Sequence, residues 1–208
     1  MRLLDAGEPL PLDKIGFSKK NYENFTRAIS TPYGIVFVCG PTGSGKTTTL
    51  HTNSAPESII RLLDMGMDPF NFSDAILCIL AQRLARTLCK DCRQPYHPSQ
   101  EEHATLIREY GPRLFDENVN IQYTEDLMLN QPVGCRNCNS KGYRGRMALH
   151  ELLMGTDEIK LLVQNRAKVD VIRAQVLKDG MTTLRQDGIE KIFAGPLELQ
   201  QVRKVCIR

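Results

Sequence analysis

The feature that most constrains this chain is a glycine-rich segment directly after a short apolar run. The apolar run is Ile35–Cys39, and residues Gly40 to Thr47 match the pattern G-x-x-x-x-G-K-[ST] at every defined position. In this pattern a buried strand leads into a loop whose backbone N–H groups surround phosphate oxygens, and a helix follows. The alternative is a plain glycine-rich turn, but the strand in front of the loop favours nucleotide binding.

The loop predicts specific contacts with a bound nucleotide. Lys46 would contact the β- and γ-phosphates, and the hydroxyl group of Thr47 would bind Mg²⁺. ATP and Mg²⁺ are therefore the expected cofactors. The predicted nucleotide-binding residues are Gly40, Pro41, Thr42, Gly43, Ser44, Gly45, Lys46, Thr47 and Thr48.

Two Cys-x-x-Cys pairs, separated by 42 residues, form a second group of chemically important residues. Two such pairs can hold one Zn²⁺ in a tetrahedron of four thiolates. The alternatives are four unrelated thiols and a disulfide or redox pair, although no thioredoxin-like strand pattern surrounds either pair. The sequence predicts a structural zinc site formed by Cys89, Cys92, Cys135 and Cys138.

The other cysteines and most histidines are predicted to have structural roles. The cysteines outside the two pairs lie in apolar contexts and are expected to be small core residues. They are Cys39, Cys78 and Cys206. The histidines expected to be ordinary core or surface residues are His97, His103 and His150.

The spacing of apolar residues predicts a mostly helical chain around one buried strand. The predicted strand is 35–39, with a further strand-like run over 147–153 after a basic turn at 142–146. Predicted helices cover 18–29, 55–65, 71–88, 157–164, 169–177, 183–193 and 197–205, and 103–114 is read as loop and helix. No second sheet strand is predicted between Leu50 and Cys89, although a phosphate-loop nucleotidase needs one that ends in an acidic residue.

Charge and hydropathy limit the classes of function. The formal net charge of +3 is too small to indicate nucleic acid or an anionic membrane as a partner. No apolar run approaches the roughly 20 residues of a membrane-spanning helix, and no signal peptide opens the chain. The expected location is the cytoplasm, with any membrane contact made through a partner protein.

The segment Gly34–Leu50 closely resembles the nucleotide-binding core of the type II secretion and type IV pilus assembly ATPases. Further motifs resemble the same family in the same order. They are residues 51–53, 61–66 and 81–84, the two cysteine pairs, and residues 142–146 and 180–184. The cysteine pairs favour assembly and secretion ATPases over pilus retraction ATPases.

This resemblance implies a homo-hexameric, RecA-like motor. Such a motor would act through an integral-membrane platform protein to push pilin or pseudopilin subunits out of the inner membrane. The implied fold is α/β, with a P-loop core on an incomplete parallel sheet, a tetracysteine zinc insert and a C-terminal helical region. The expected divisions are 1–33 (end of an N-terminal subdomain and linker helix), 34–88 (partial nucleotide core), 89–138 (zinc insert) and 139–208 (C-terminal subdomain).

The sequence departs from the family pattern directly after the phosphate loop. The family carries several dozen residues there, including the Walker B strand and its catalytic glutamate, whereas here Thr49–Leu50 leads directly into His51. We interpret this as an internal deletion that leaves His51 as the surviving catalytic residue implied by the resemblance. The chain also begins near the end of the family's N-terminal domain.

Three functions therefore compete. The chain could be a working motor ATPase, a remnant that binds nucleotide but hydrolyses little, or a non-catalytic module that docks through its zinc insert and helical tail. A zinc protein that binds nucleic acid is disfavoured, because no dense basic stripe or aromatic platform accompanies the cysteines.

Overall fold

The computed structural model of the chain describes residues 11–40 and 54–206. The described helices are α1 (Lys19–Ile29), α2 (Ala55–Asp64), α3 (Pro69–Ala75), α4 (Gln100–Tyr110), α5 (Pro112–Asn118), α6 (Asp157–Gln164), α7 (Val169–Lys178), α8 (Leu184–Phe193) and α9 (Leu199–Val205). The strands are β1 (Ile35–Cys39), β2 (Ile76–Leu88), β3 (Gln94–Tyr96), β4 (Leu129–Gln131) and β5 (Tyr143–Met154). Two short 3-10 turns cover Leu12–Lys14 and Arg136–Cys138. No helix in the described ranges is long and apolar enough to span a membrane.

Within the described residues the main sheet has the order β1-β2-β5 and is mixed. β1 runs parallel to β2, whereas β5 runs antiparallel to β2. The expectation of a parallel sheet therefore holds only for the first pair. Because β1 ends opposite Ala81, the strands continue past it as a two-strand arm, formed by residues 82–88 of β2 and 143–150 of β5.

The predicted helix over 71–88 is wrong beyond Ala75. Helix α3 ends there, and residues 76–88 form β2, the longest strand described. Most of its first half is buried, from Ile76 through Ala81. A strand covered on both faces shows a continuous apolar run, in which residues three and four apart are apolar by default. Helical spacing therefore did not distinguish a helix from a strand here. The prediction that no sheet strand lies between Leu50 and Cys89, and that 35–39 is the only core strand, is wrong because β2 lies there.

Apolar clusters cover both faces of the sheet. On one face, α1 packs Phe25 and Ala28 against residues of β1, β2 and β5. On the other face, helices α2, α3, α6 and α7 pack around Ile79 and Leu153. A separate cluster joins the arm to α4, α5, α8 and α9. The chain therefore forms an α/β layered structure near β1 and a mostly helical bundle around the arm.

Two boundaries differ from the predictions in the C-terminal part. The predicted basic turn at 142–146 is mostly strand, because β5 already begins at Tyr143. The last helix begins at Leu199 rather than at 197. The other C-terminal helices lie within one residue of their predicted bounds.

Candidate nucleotide and metal sites

The described part of the nucleotide site is the carboxyl end of β1. Cys39 and Gly40 are buried there, and the hydroxyl of Ser58 on α2 donates a hydrogen bond to Cys39 Sγ over 3.1 Å. Ser58 is on the first turns of a helix that Ser54 caps by accepting from the backbone N–H of Glu57. The strand and the helix after the loop thus pack directly against each other. The predicted ligands Pro41 to Thr48, and His51, lie outside the described residues.

A buried glutamate on β5 is the functional candidate that sequence reasoning missed. Glu151 is 4% exposed and lies in the same row of the sheet as Ala81 and Cys39. Its Oε1 accepts from the backbone N–H of Ala55 over 2.8 Å, and its Oε2 accepts from that of Leu184 over 3.4 Å. One carboxyl group therefore joins the N-termini of α2 and α8 to the sheet beside the end of β1. An acidic residue inside an apolar run was the available signal.

The environment of Glu151 shifts its ionisation strongly. Burial raises the pKa of this carboxyl group to about 7, although the two backbone N–H donors and the charge of Arg173 oppose the shift. The negative charge of Glu57 raises the pKa further. Both carboxyl oxygens accept a backbone N–H group from a helix start, so the group links α2 and α8 to β5.

A second buried carboxyl group binds the backbone of β5 on its outer side, the edge that faces away from β2. Asp187 on α8 accepts from the backbone N–H of His150 over 2.9 Å and forms an ion pair with Lys191, whose Nζ also donates to the carbonyl of Ala148. Burial raises the pKa of Asp187 to about 6, against the opposing charge of Lys191. Helix α8 thereby covers backbone groups of β5 that would otherwise be unpaired.

The imidazole of His150 is a core group, as predicted. It is buried and packs against Phe17 with ring centroids 4.3 Å apart. Neither ring nitrogen has a hydrogen-bond partner of good geometry among residues 11–40 and 54–206, although the backbone of Gly16 lies near enough to favour the charged form. Burial, together with the charge of Lys191, lowers the pKa of His150 to about 3.

The four predicted metal-ligating cysteines meet at the tip of the two-strand arm. All four sulfur atoms lie within 4.8 Å of one another. The Sγ–Sγ distances are 3.9 Å for Cys89 and Cys135, 3.8 Å for Cys92 and Cys138, and 3.8 Å for Cys135 and Cys138. A tetrahedral Zn²⁺ with Zn–S bonds of about 2.3 Å requires sulfur atoms about 3.8 Å apart. The spacing fits that ion and is far from the ~2 Å of a disulfide.

Backbone donors around the sulfurs favour thiolates. The N–H of Gly134 donates to Cys92 Sγ over 3.3 Å, and the N–H groups of Cys135 and Gly142 donate to Cys138 Sγ over 3.1 and 3.2 Å. Gly142 has a φ of +76°, and an added Cβ would lie 2.5 Å from Pro132 Cβ. A glycine is therefore required for this close approach.

The thiols respond unequally to this environment. Burial raises the pKa of Cys138, but its N–H donors and neighbouring thiols outweigh that effect and lower the pKa to about 6. At Cys92, burial followed by hydrogen bonds with the other thiols raises the pKa to about 12. Ionisation of all four thiols at this spacing would require a cation to balance their charge.

The arm explains why distant cysteines meet. Leu88 pairs with Tyr143 at the end of the arm, and the N–H of Cys89 donates to the carbonyl of Gly142 over 2.9 Å. The segment between the cysteine pairs folds over the arm as the β3–β4 pair with α4 and α5. The other predicted structural residues agree with this arrangement, since Cys39, Cys78, Cys206 and His103 are buried.

Comparisons with known proteins identify the family of this chain. The family described as Type II/IV secretion system protein matches residues 1–50 and 48–204 of this chain. The chain belongs to this family. A type II secretion system protein E from Dickeya dadantii is 38% identical to it over 164 residues, which cover 79% of the chain and 30% of that relative.

Two further relatives align with almost the whole length of this chain. Type II secretion system ATPase E from Vibrio cholerae serotype O1 is 29% identical over 290 residues, covering 99% of the chain and 55% of the relative. Type IV pilus assembly ATPase PilB from Myxococcus xanthus is 29% identical over 287 residues, covering 97% and 49%. The chain thus spans about half the length of these relatives.

These two alignments are longer than the part of the chain that they cover. The 290-residue alignment includes 99% of a chain of 208 residues, which leaves about 80 positions occupied only by the relative. The two ranges matched by the family meet at residues 48–50.

A solved structure supports the fold. The crystal structure of the pilus retraction motor PilT with bound ADP is similar with a TM-score of 0.60 and 14% identity, covering 98% of this chain and 68% of that one.

Proposed function

We propose that this chain is a nucleotide- and zinc-binding member of the secretion and pilus assembly ATPases, with little hydrolytic activity of its own. The observation that carries the proposal is the combination of a complete phosphate-loop sequence after β1 with a compact tetracysteine cluster, in a chain of that family. ATP with Mg²⁺ would bind at Gly40, Pro41, Thr42, Gly43, Ser44, Gly45, Lys46, Thr47 and Thr48.

The metal site would have a structural role. Zn²⁺ would be held by Cys89, Cys92, Cys135 and Cys138, whose sulfur spacing matches a closed tetrahedral site. With all four positions filled by protein, no position remains for substrate or water. The ion would fix the tip of the arm and the insert folded over it.

Weak hydrolysis is expected because the alignment with the Vibrio cholerae relative contains about 80 positions that this chain lacks. That the two matched ranges meet at 48–50 supports an internal deletion just after the phosphate loop. The family resemblance implies that the Walker B strand and its glutamate lie in this block. Loss of a general base typically reduces the rate by about 10²–10⁴-fold. His51 follows the junction, and a neutral imidazole would not replace the missing carboxylates.

The longer family motor would be the context of the working enzyme. We propose that it couples ATP hydrolysis in a cytoplasmic homo-hexamer to extrusion of pilin or pseudopilin subunits through an inner-membrane platform protein. In the present chain, segments 34–88 and 139–208 would share the β1-β2-β5 sheet, with 89–138 as the insert and 1–33 leading into the core.

Steady-state phosphate release tests the proposal directly. With Mg²⁺ and ATP, we expect the purified chain to bind ADP or ATP and to release phosphate at least about 10²-fold more slowly than an intact relative. Lys46→Ala should abolish binding and so exclude a contaminant. A rate comparable to that of an intact relative, lost in Lys46→Ala, would show that other residues supply the acidic function.

The alternative is a non-catalytic fragment that acts only through interactions, and the missing block favours it over a working motor. The proposed nucleotide-binding protein and the interaction fragment both predict weak hydrolysis, so a nucleotide-binding measurement distinguishes them. Absence of ADP binding in a folded, metal-loaded chain would favour the interaction fragment.

A further inference from the structure

The buried carboxyl group on β5 carries an inference that rests on the proposed nucleotide binding and deepens it. Glu151 lies where the three-strand sheet narrows to the two-strand arm, in the row of Cys39. The phosphate-loop sequence begins at the next residue of β1, Gly40. The position of α2 relative to the end of β1 therefore affects how the first residues of the phosphate-loop sequence leave the sheet.

Two described contacts fix the start of α2 at that point. Ala55, the first residue of the helix, is fully buried and donates to Glu151 over 2.8 Å. One turn later, Ser58 Oγ lies 3.1 Å from Cys39 Sγ and 2.9 Å from the carbonyl oxygen of Ser54, so its single proton is shared between the two. The helix is thus attached to β5 and to β1 at once, and Glu151 is the charged partner of the pair.

The same carboxyl group also fixes α8. Its second oxygen accepts from Leu184, so α2 and α8 share one acceptor. Glutamine or an apolar residue would fill this space without a charge to bury.

We propose that Glu151 is a positioning residue for nucleotide binding, which holds the N-terminus of α2 against the carboxyl end of β1. In Glu151→Gln the single amide oxygen is uncharged and can replace only one of the two carboxylate oxygens, so the shared contact with α2 and α8 is weakened. The phosphate-binding end of β1 then loses the neighbour that fixes it. The consequence is weaker nucleotide affinity in a chain that remains folded.

The test measures the affinity of the full chain for mant-ADP with Mg²⁺ between pH 6 and 9, in the wild type and in Glu151→Gln. We expect Glu151→Gln to weaken binding roughly tenfold above pH 7, the order expected for one lost hydrogen bond to a charged group. In the wild type, affinity should rise as Glu151 ionises, and this rise should be absent in the variant. The groups that share its surroundings are Glu57 on α2, Arg173 on α7, Arg83 on β2 and Cys206 after α9.

Asp187→Asn is the matched control. Asp187 is equally buried, accepts a backbone N–H and has a raised pKa, but it contacts the outer side of β5. This variant should bind mant-ADP like the wild type. If Asp187→Asn weakens binding as much as Glu151→Gln, the effect is general destabilisation and the proposal is overturned.

Hydrogen exchange separates this proposal from the proposed function. If the wild type binds no mant-ADP, nucleotide binding fails for the chain and for Glu151 together. The contact between Glu151 and the start of α2, called the anchor here, is then tested by hydrogen exchange. The backbone amides of residues 55 and 57–60 should exchange faster in Glu151→Gln than in Asp187→Asn. Exchange unchanged from the wild type would overturn the anchor as well.

Discussion

The two ends of β5 are held by different physical means. At its start, the cysteine cluster is assembled from two short local motifs, whose sulfurs come together because β2 and β5 pair there. Near its end, Glu151 and His150 are buried ionisable groups that contact distant parts of the chain, the start of α2 and Phe17 respectively. The cysteine end is arranged to hold a metal ion, whereas the end near β1 contains buried groups whose charge changes with pH. Chelation and pH should therefore perturb them separately.

The largest expected effect comes from removing one thiolate at the metal end. Cys135→Ser should lower the zinc content from about one equivalent and destabilise the insert by several kcal/mol, because binding energy at a structural site is folding energy. Metal analysis and thermal unfolding with and without chelator measure both quantities.

The control is Cys206→Ala, which removes a buried thiol away from the cluster. Metal content should be unchanged in this variant. Full zinc occupancy in Cys135→Ser would contradict the four-thiolate assignment.

Acid should destabilise the nucleotide end through His150. Its pKa is about 3 in the folded chain and about 6.5 when unfolded, so the unfolded chain takes up the proton first as the pH falls. This contribution lowers stability progressively between about pH 6.5 and 3, by at most about 1.4 kcal/mol per pH unit. Urea unfolding of the wild type and His150→Phe, which keeps the contact with Phe17, should show the difference growing over that range.

Glu151 and Asp187 act in the opposite direction. Their folded pKa values, about 7 and about 6, lie above the ordinary values, so their contribution to stability is complete below about pH 4 and is lost as the pH rises through 6 and 7. They are present in both proteins, so the comparison with His150→Phe removes them. If the free energy of unfolding falls equally in the wild type and in His150→Phe as the pH decreases, His150 has its ordinary pKa in the folded chain.

Hydrogen exchange should distinguish the two regions under neutral, metal-loaded conditions. Within the described residues β1 and β5 each have β2 as their one strand neighbour, but the backbone of β5 is also bound by Asp187 and Lys191 of α8. We expect amides of β1 to exchange roughly tenfold to a hundredfold faster than those of residues 143–154, a difference of about 1.4–3 kcal/mol. Equal protection would show that the nucleotide end is as complete as the arm.

The smallest effect should come from surface charge on the insert. Arg113 and Glu117 on α5 are 3.7 Å apart, with side chains 85% and 57% exposed. Exposed pairs of this kind contribute about 0.3–0.5 kcal/mol. Arg113→Ala should leave the chelator-sensitive unfolding transition nearly unchanged, and a shift as large as that of Cys135→Ser would mean that charge rather than metal stabilises the insert.

Local chemistry made several elements predictable from the sequence. Ser18 and Ser54 accept backbone N–H groups at the starts of α1 and α2, and the apolar run before the loop forms β1. The cysteine pairs were recognisable because ligand spacing is a property of a few consecutive residues. These features depend on neighbours within about four residues, which a sequence displays directly.

Tertiary structure alone decided the elements whose residues fit two conformations. Residues 76–88 have apolar side chains at helical spacing, and only pairing with β1 and β5 makes them a strand. Glu151 is a charged residue within an apolar run of the sequence. It is buried because it contacts the starts of two helices, which lie 96 and 33 residues away in sequence. Such contacts depend on loop closure between remote segments, and local propensity contains no information about them.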